Sequence, residues 1–209
     1  MKLINEQKLI VASYSPKPLY YFFKQIVDIA VSFVSLLFLF PFLLIIAILI
    51  KLDSQGSVFY KQERIGLNGK PFLMIKFRTM YGDAEKNGPQ WADSHDSRIT
   101  RVGHYLRKYR LDELPQFINI VRGEMSMIGP RPERLYFIKE FEKQLPSFRS
   151  RLQVKPGITG WAQIHGGYEL TPAQKLKLDL HYINHFSILI DLKIILKSIP
   201  VILFAKGWR

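Results

Sequence analysis

Apolar and polar positions divide this chain near residue 50. From Ile29 to Ile50 it reads IAVSFVSLLFLFPFLLIIAILI, without a charged residue. That run reaches the ~20 apolar residues that cross a bilayer core. Pro41 interrupts it near the middle. Proline removes a donor and clashes with the preceding turn, so two courses stay open. The segment is a kinked helix that crosses the membrane, or one that turns inside it and returns. Ser32 and Ser35 can bond to backbone groups that a turn would free. Ahead of the run, Tyr20-Tyr21-Phe22-Phe23 beside Lys24 suits the headgroup level. Lys24 and Asp28 share one helical face. Lys8, Lys17 and Lys24 precede the run, and Lys51, Lys61 and Arg64 follow it. With both flanks basic, the positive-inside rule does not orient a single span.

Beyond residue 50 the pattern shortens. Val58-Phe59-Tyr60 and Phe72-Leu73-Met74-Ile75 read as strands joined at Asn68-Gly69, a β-hairpin. The second strand delivers Lys76 and Arg78, two apart and on one face. Tyr81 to Thr100 is polar and reads as a mobile loop. Ile99, Val102 and Leu106 are spaced for a short helix. A further helix is expected from Asp112 as N-cap to about Gly123. Glu133 to Leu145 is amphipathic, with Leu135, Ile138 and Phe141 on one face and Pro146 after it. Val154 to Ile164 reads as a glycine-punctuated loop or short strand. Thr171-Pro172 starts a helix that runs to about His185, with Leu176, Leu180 and Ile183 inward. Phe186 to Phe204 is strongly apolar, but Asp191, Lys193 and Lys197 argue against a span. The expectation there is an interfacial amphipathic helix, set against a buried core helix.

Charge narrows the partners. Thirty Lys and Arg face 17 Asp and Glu, a formal charge of +13. Such a surplus suits nucleic acid, anionic lipid or phosphorylated substrates, and the apolar segment favours the last two. There is no cysteine, hence no disulfide framework and no thiolate metal site. The apolar run is too long and too far from the start for a signal peptide. The residues from Lys51 onward suffice for one compact domain.

The sharpest chemical feature is Asp112-Glu113, adjacent carboxylates among Arg107, Lys108 and Arg110. One reading is helix capping with surface ion pairs, the commoner use of such residues. The other is chemistry: an ionised Asp can attack a phosphoryl group, a neighbouring Glu can hold Mg²⁺, and arginines can neutralise phosphate oxygens. Arg131 sits between Pro130 and Pro132, a stiff mount for a guanidinium fork, or a surface arginine in a turn. His181 and His185 have i,i+4 spacing but lack the Glu of a zinc-protease helix.

Several segments, in order, resemble the bacterial sugar transferases, small monotopic polyprenyl-phosphate phosphoglycosyl transferases. They are KFRTM (76–80), DSRITRVG (96–103), LRKYRLDELPQFINIVRGEMSMIGPRP (106–132), KPGITGWAQI (155–164) and LDLHYINHFSILIDLKII (178–195). The resemblance covers about residues 20 to 200. It implies transfer of a sugar 1-phosphate from a UDP-sugar to polyprenyl phosphate, through a phosphosugar–aspartate intermediate and with Mg²⁺. It assigns Asp112 as nucleophile, Glu113 as its metal-binding partner, and Lys76, Arg78, Arg107 and Arg131 as phosphate-binding. It implies a re-entrant helix broken at Pro41, at the inner membrane, with the site on the cytoplasmic face. Where many relatives have Ser-Pro at the break, this chain has Phe40-Pro41. The additional spans of larger relatives are not expected.

The expected architecture is α+β and mainly helical. It has an N-terminal extension over 1–25, a re-entrant membrane helix over 26–50, and a catalytic domain over 51–209 with a small β-hairpin and an interfacial C-terminal helix. Its partners are a nucleotide sugar, polyprenyl phosphate and the bilayer, without nucleic acid. The sugar and the oligomeric state, a homodimer included, stay open. The competing reading is a basic membrane-tethered module that binds anionic lipid or nucleic acid without catalysis.

Overall fold

The computed structural model describes residues 18–84, 86 and 96–203. The apolar run lies inside one helix, α1 (Pro18–Asp53), long and apolar enough to cross a membrane by length and composition. The helix begins at Pro18, ahead of the apolar run. Proline suits a first helical turn, and Tyr20 and Tyr21 pack on the Phe186 ring at 4.9 and 6.0 Å between centroids. The rest of the expected extension, residues 1–17, lies outside the described residues. Pro41 lies within α1, and the backbone is helical on both sides of it. Helical backbone thus continues past Pro41. Proline's fixed φ is itself helical, and what is lost is the hydrogen bond to the carbonyl of Leu37.

One stripe of α1 faces the domain. It includes Asp28, Ser32, Ile46 and Ile50, all buried. Most of the remaining surface of α1 is exposed apolar side chain, Phe38 at 81%. Near its start the stripe is polar and fully paired. Lys24 lies 3.2 Å from Asp28 and 3.1 Å from Asp191. Asp191 also accepts hydrogen bonds from Tyr20 and Tyr182, each at 2.8 Å. Ser126 donates to Asp28 at 2.5 Å. Buried charges persist only when paired in this way.

The hairpin forms as expected, with longer strands: β1 (Phe59–Ile65) pairs antiparallel with β2 (Pro71–Phe77). Asn68 and Gly69 have positive φ, 54° and 77°, the left-handed pair that a tight turn between twisted strands requires. Phe77 packs with Ile46, Ile50 and Leu106. Helix α2 (Arg101–Lys108) follows the polar loop, whose residues 85 and 87–95 lie outside the described ones. Thr100 caps α2 through Gly103 N–H, and Asp53 accepts from Val102 N–H at 2.9 Å. A short helix α3 (Gln116–Val121) ends before Gly123, whose φ is +76°.

A strand not expected from the sequence, β3 (Ser126–Ile128), pairs in parallel with β4 (Gly157–Thr159). Around this pair pack α4 (Leu135–Gln144), α5 (Trp161–Ile164), α6 (Pro172–Asn184) and α7 (Ile188–Leu203). Ile138, Phe148, Leu176, Leu180, Ile183 and Ile194 form part of the largest core. Thr171 and Gln174 form the capping box of α6. Helix α7 has its polar side inward: Asp191 and Ser198 are buried, while Ile188, Leu189, Leu192, Ile195 and Leu196 are exposed. Together with α1 it presents an apolar surface far beyond what isolated exposed residues would explain.

Helix α2 crosses the end of β2 so closely that a Cβ on Gly103 would collide with the Thr79 backbone. Gly103→Ala is expected to cost roughly 1–3 kcal/mol by overpacking. Thermal unfolding in detergent would measure this as a lowered midpoint.

Candidate active site

Three pieces of chain converge on Glu113. Arg110 adopts a left-handed conformation, φ 55°, and turns the chain from α2 into a single 3₁₀ turn, Leu111–Glu113. That turn carries both acids into the interior, with Asp112 at 8% and Glu113 at 6% exposure. Strand β2 brings Lys76, whose Nζ donates to Glu113 Oε1 at 2.8 Å and lies 3.8 Å from Asp112. The segment after β3 brings Arg131, whose guanidinium reaches Glu113 Oε1 at 2.5 Å and Oε2 at 3.4 Å. Behind it, buried Arg151 pairs with Asp179 at 2.7 Å and donates to the Arg131 carbonyl at 2.9 Å.

This geometry overturns the expectation that Asp112 caps a helix. Helix α3 begins at Gln116, and its N-cap is Pro115, with no side-chain cap bond. The Leu114-Pro115 step separates the acids from α3. The buried pair has no capping role, which removes the commoner explanation for an acidic residue there.

Electrostatics split the two carboxyls. Burial pushes Asp112 above the usual carboxylate range; Lys76 opposes this, and the neighbouring Glu113 adds to it. Burial would raise Glu113 too, but Arg131 and Lys76 hold it well below its usual value. Glu113 therefore anchors cations, while Asp112 is a desolvated carboxylate with weaker partners.

Asp112 opens onto a cleft of about 330 Å³. Ten Lys and Arg side chains line it, against the two carboxylates Asp112 and Glu133. The cleft is thus built for an anion. Of the residues singled out from sequence, Asp112, Lys76, Arg107 and Arg131 share this wall. Arg107 Nε donates to Thr79 Oγ1 at 2.9 Å. Arg78 also lines the cleft, but its guanidinium is spent on the end of α1. It donates to Ser54 O at 2.7 Å and Ile50 O at 3.5 Å, and also to Gln55 O. Ser54 and Gln55 follow directly on the last turn of α1. Arg78 thus lines the cleft while two of its nitrogens bond to backbone. His181 and His185 are not in the cleft; their rings stack at 4.3 Å.

Sequence reasoning missed Arg98, Gln116, Arg134 and Lys175 as lining residues. Gln116 sits four residues after Asp112. Lys175 comes from α6 and had no local signal. It bonds Glu133 at 2.8 Å.

Comparison with known proteins places the chain in a family. The family model described as bacterial sugar transferase matches residues 19–205, and the chain belongs to that family. It is 41% identical over 209 residues to an Aeromonas hydrophila protein named UDP-N-acetylgalactosamine-undecaprenyl-phosphate N-acetylgalactosaminephosphotransferase. That match covers 99% of this chain and 49% of the relative. It is 40% identical to the UDP-glucose:undecaprenyl-phosphate glucose-1-phosphate transferase of Xanthomonas campestris pv. campestris, over 88% of this chain and 39% of that one. It is 37% identical to the exopolysaccharide production protein ExoY of Sinorhizobium fredii, over 88% of this chain and 87% of that one. The chain therefore spans half or less of the first two relatives.

Glu133 gives a pH test of the cleft wall. Burial would raise its carboxyl, but Lys175, Arg151 and Arg64 hold it below the usual 4.5. A depressed acid stabilises the fold above its unfolded value and loses that contribution as pH falls through the folded one. Glu133→Gln should therefore cost ~2 kcal/mol at pH 7. The gap from the parent should narrow below about pH 4.5, read as thermal midpoints across a pH series.

Proposed function

We propose that this chain transfers a sugar 1-phosphate from a UDP-sugar to a polyprenyl phosphate at a membrane surface. The observation that carries this reading is Asp112, a buried carboxylate without a capping role, facing a cleft walled by cations. The names of the relatives, which pair a UDP-sugar with undecaprenyl phosphate, support the substrate classes. We further propose that the product enters bacterial glycan assembly as its first membrane-bound intermediate.

In the first step an Asp112 oxygen attacks the phosphorus that bears the sugar. The bond between that phosphorus and the oxygen bridging to UMP breaks, and UMP leaves with the electron pair. In the second step an oxygen of the polyprenyl phosphate attacks the same phosphorus, and the Asp112 carboxylate departs. Burial strips water from Asp112, while Lys76 at 3.8 Å favours its anionic form. Lys76, Arg107 and Arg131 lie where charge on phosphate oxygens needs neutralising. Asp179 and Arg151 fix the Arg131 backbone, so its guanidinium is held ready.

Mg²⁺ suits the donor set. The two acids offer only oxygen, Glu113 Oε2 is engaged only at 3.4 Å, and Mg²⁺ takes one or two carboxylates together with substrate phosphates. Glu113 would hold it, beside Asp112. Bound there, the ion would neutralise charge on the phosphates.

The membrane course follows from the same chemistry. A lipid phosphate is confined to the headgroup plane, so Asp112 must work at that depth. Helix α1 packs on the domain at Asp28 and Ser32 and again at Ile46 and Ile50. A spanning helix would carry one end ~30 Å from the domain. Contact near both ends favours a helix that bends at Pro41 and stays at one membrane face, and we place that face on the cytoplasmic side of the inner membrane.

Asp112→Asn should lower UMP release in lipid, with polyprenyl phosphate and Mg²⁺, by roughly three orders of magnitude. It should also abolish covalent labelling by the sugar phosphate; turnover near that of the parent would reject Asp112 as nucleophile. For topology, Lys17→Cys and Ser57→Cys in this cysteine-free chain should react with an impermeant thiol reagent from the same side of the membrane. Reaction from opposite sides would rule out the re-entrant course.

A further inference from the structure

Gln116 opens α3, four residues after Asp112, and is 1% exposed. It lines the same cleft as Asp112, Lys76 and Arg131. Its Nε2 is buried and has no hydrogen-bond partner. An unpaired buried donor costs stability, and protein folds rarely keep one without a use. The same helix contains the contrasting case. Asn119, one turn on and fully buried, uses every arm of its carboxamide. Its Oδ1 accepts from Ile75 N–H at 3.0 Å, and its Nδ2 donates to Leu73 O at 2.8 Å and Glu124 Oε2 at 2.6 Å. Asn119 ties α3 to β2, so that structural task is already filled. Gln163 also lines the cleft with an unpaired amide oxygen, but that oxygen lies against the backbone of Gly160.

We propose that Gln116 is a further substrate-binding residue, whose Nε2 donates a hydrogen bond to a phosphoryl oxygen of the group held at Asp112. The inference rests on the transferase reading of the cleft. Phosphate oxygens accept and do not donate at neutral pH, so the end of the amide left unpaired is the end such a ligand needs. A neutral donor also fits the setting. The wall already holds ten cations, and an amide waits unpaired in a dry wall at less cost than an ammonium would. Being uncharged, it adds direction to phosphate binding without changing the charge balance that splits Asp112 from Glu113.

Gln116→Met tests this, because it keeps length and volume and removes the polar end. Its thermal midpoint should equal or exceed that of the parent, since an unpaired donor disappears. Its UMP release should fall ~10- to 100-fold, the scale of one transition-state donor. The midpoint rise that UDP gives the parent should shrink. Gln116→Glu, which sets a carboxylate against the phosphates, should shrink that rise further. A Met variant with parental turnover and a parental response to UDP would overturn the proposal. So would a lowered midpoint, which would assign the amide a structural partner. Failure of the transferase reading looks different. The unsubstituted protein would then release no UMP from any nucleotide sugar, while the UDP response of parent and variant would still decide the role of Gln116.

Discussion

Two adjacent carboxylates cannot both be buried and charged without help. That constraint governs this fold. Glu113 is compensated by Lys76 and Arg131, at 2.8 and 2.5 Å, and these arrive from β2 and from the Pro-Arg-Pro segment. The clamp joins three distant pieces of chain through one carboxylate. Its by-product is the state of Asp112. The cations nearest the pair are committed to Glu113, so Asp112 keeps an oxygen that burial has desolvated and a cleft to point into. Removing one partner of such a pair costs far more than the pair contributes, so the clamp makes the geometry all-or-none.

The same strand ties chemistry to depth. Lys76 holds the acid pair, and Arg78, two residues on, grips the carbonyls at the end of α1. Both side chains line the cleft. A shift of α1 relative to the domain would therefore pull on β2 directly beneath Lys76. At the other end of α1, Asp191 joins Tyr20, Lys24 and Tyr182 in one buried polar knot. The long apolar helix is fastened at both ends by charges inside the protein, and its outer face is exposed apolar side chain.

Much of this was legible in the sequence where the signal is local. Asn68-Gly69 specifies a turn by its backbone conformation alone, and Thr171-Pro172 specifies a helix start by the bonds it supplies. The periodicity of Leu176, Leu180 and Ile183 marks a buried face, and all three are buried. What failed was non-local. A three-residue strand such as β3 has too few positions to show alternation, and its existence depends on β4, about thirty residues later. Asp112 looked like a cap because an acid before an apolar run usually is one. Its real environment depends on Arg110 turning left-handed and on Lys76 arriving from β2. Arg78 had the right charge beside the right strand. Only the position of the α1 terminus reveals that its two terminal nitrogens bond to backbone carbonyls.

Helix α7 illustrates why charge counts misjudge such a chain. Its sequence is apolar with an acid and two lysines, a pattern that suits neither a span nor an ordinary amphipathic helix. The structure divides these charges by role. Asp191 turns inward, where Tyr20, Tyr182 and Lys24 satisfy it, while Lys193 and Lys197 stay on the exposed side among isoleucine and leucine. Long lysine stems can lie along an apolar surface and still reach headgroups. The inward acid thus serves the protein and the outward lysines suit the interface. A helix sorted in this way can rest on a membrane without entering it.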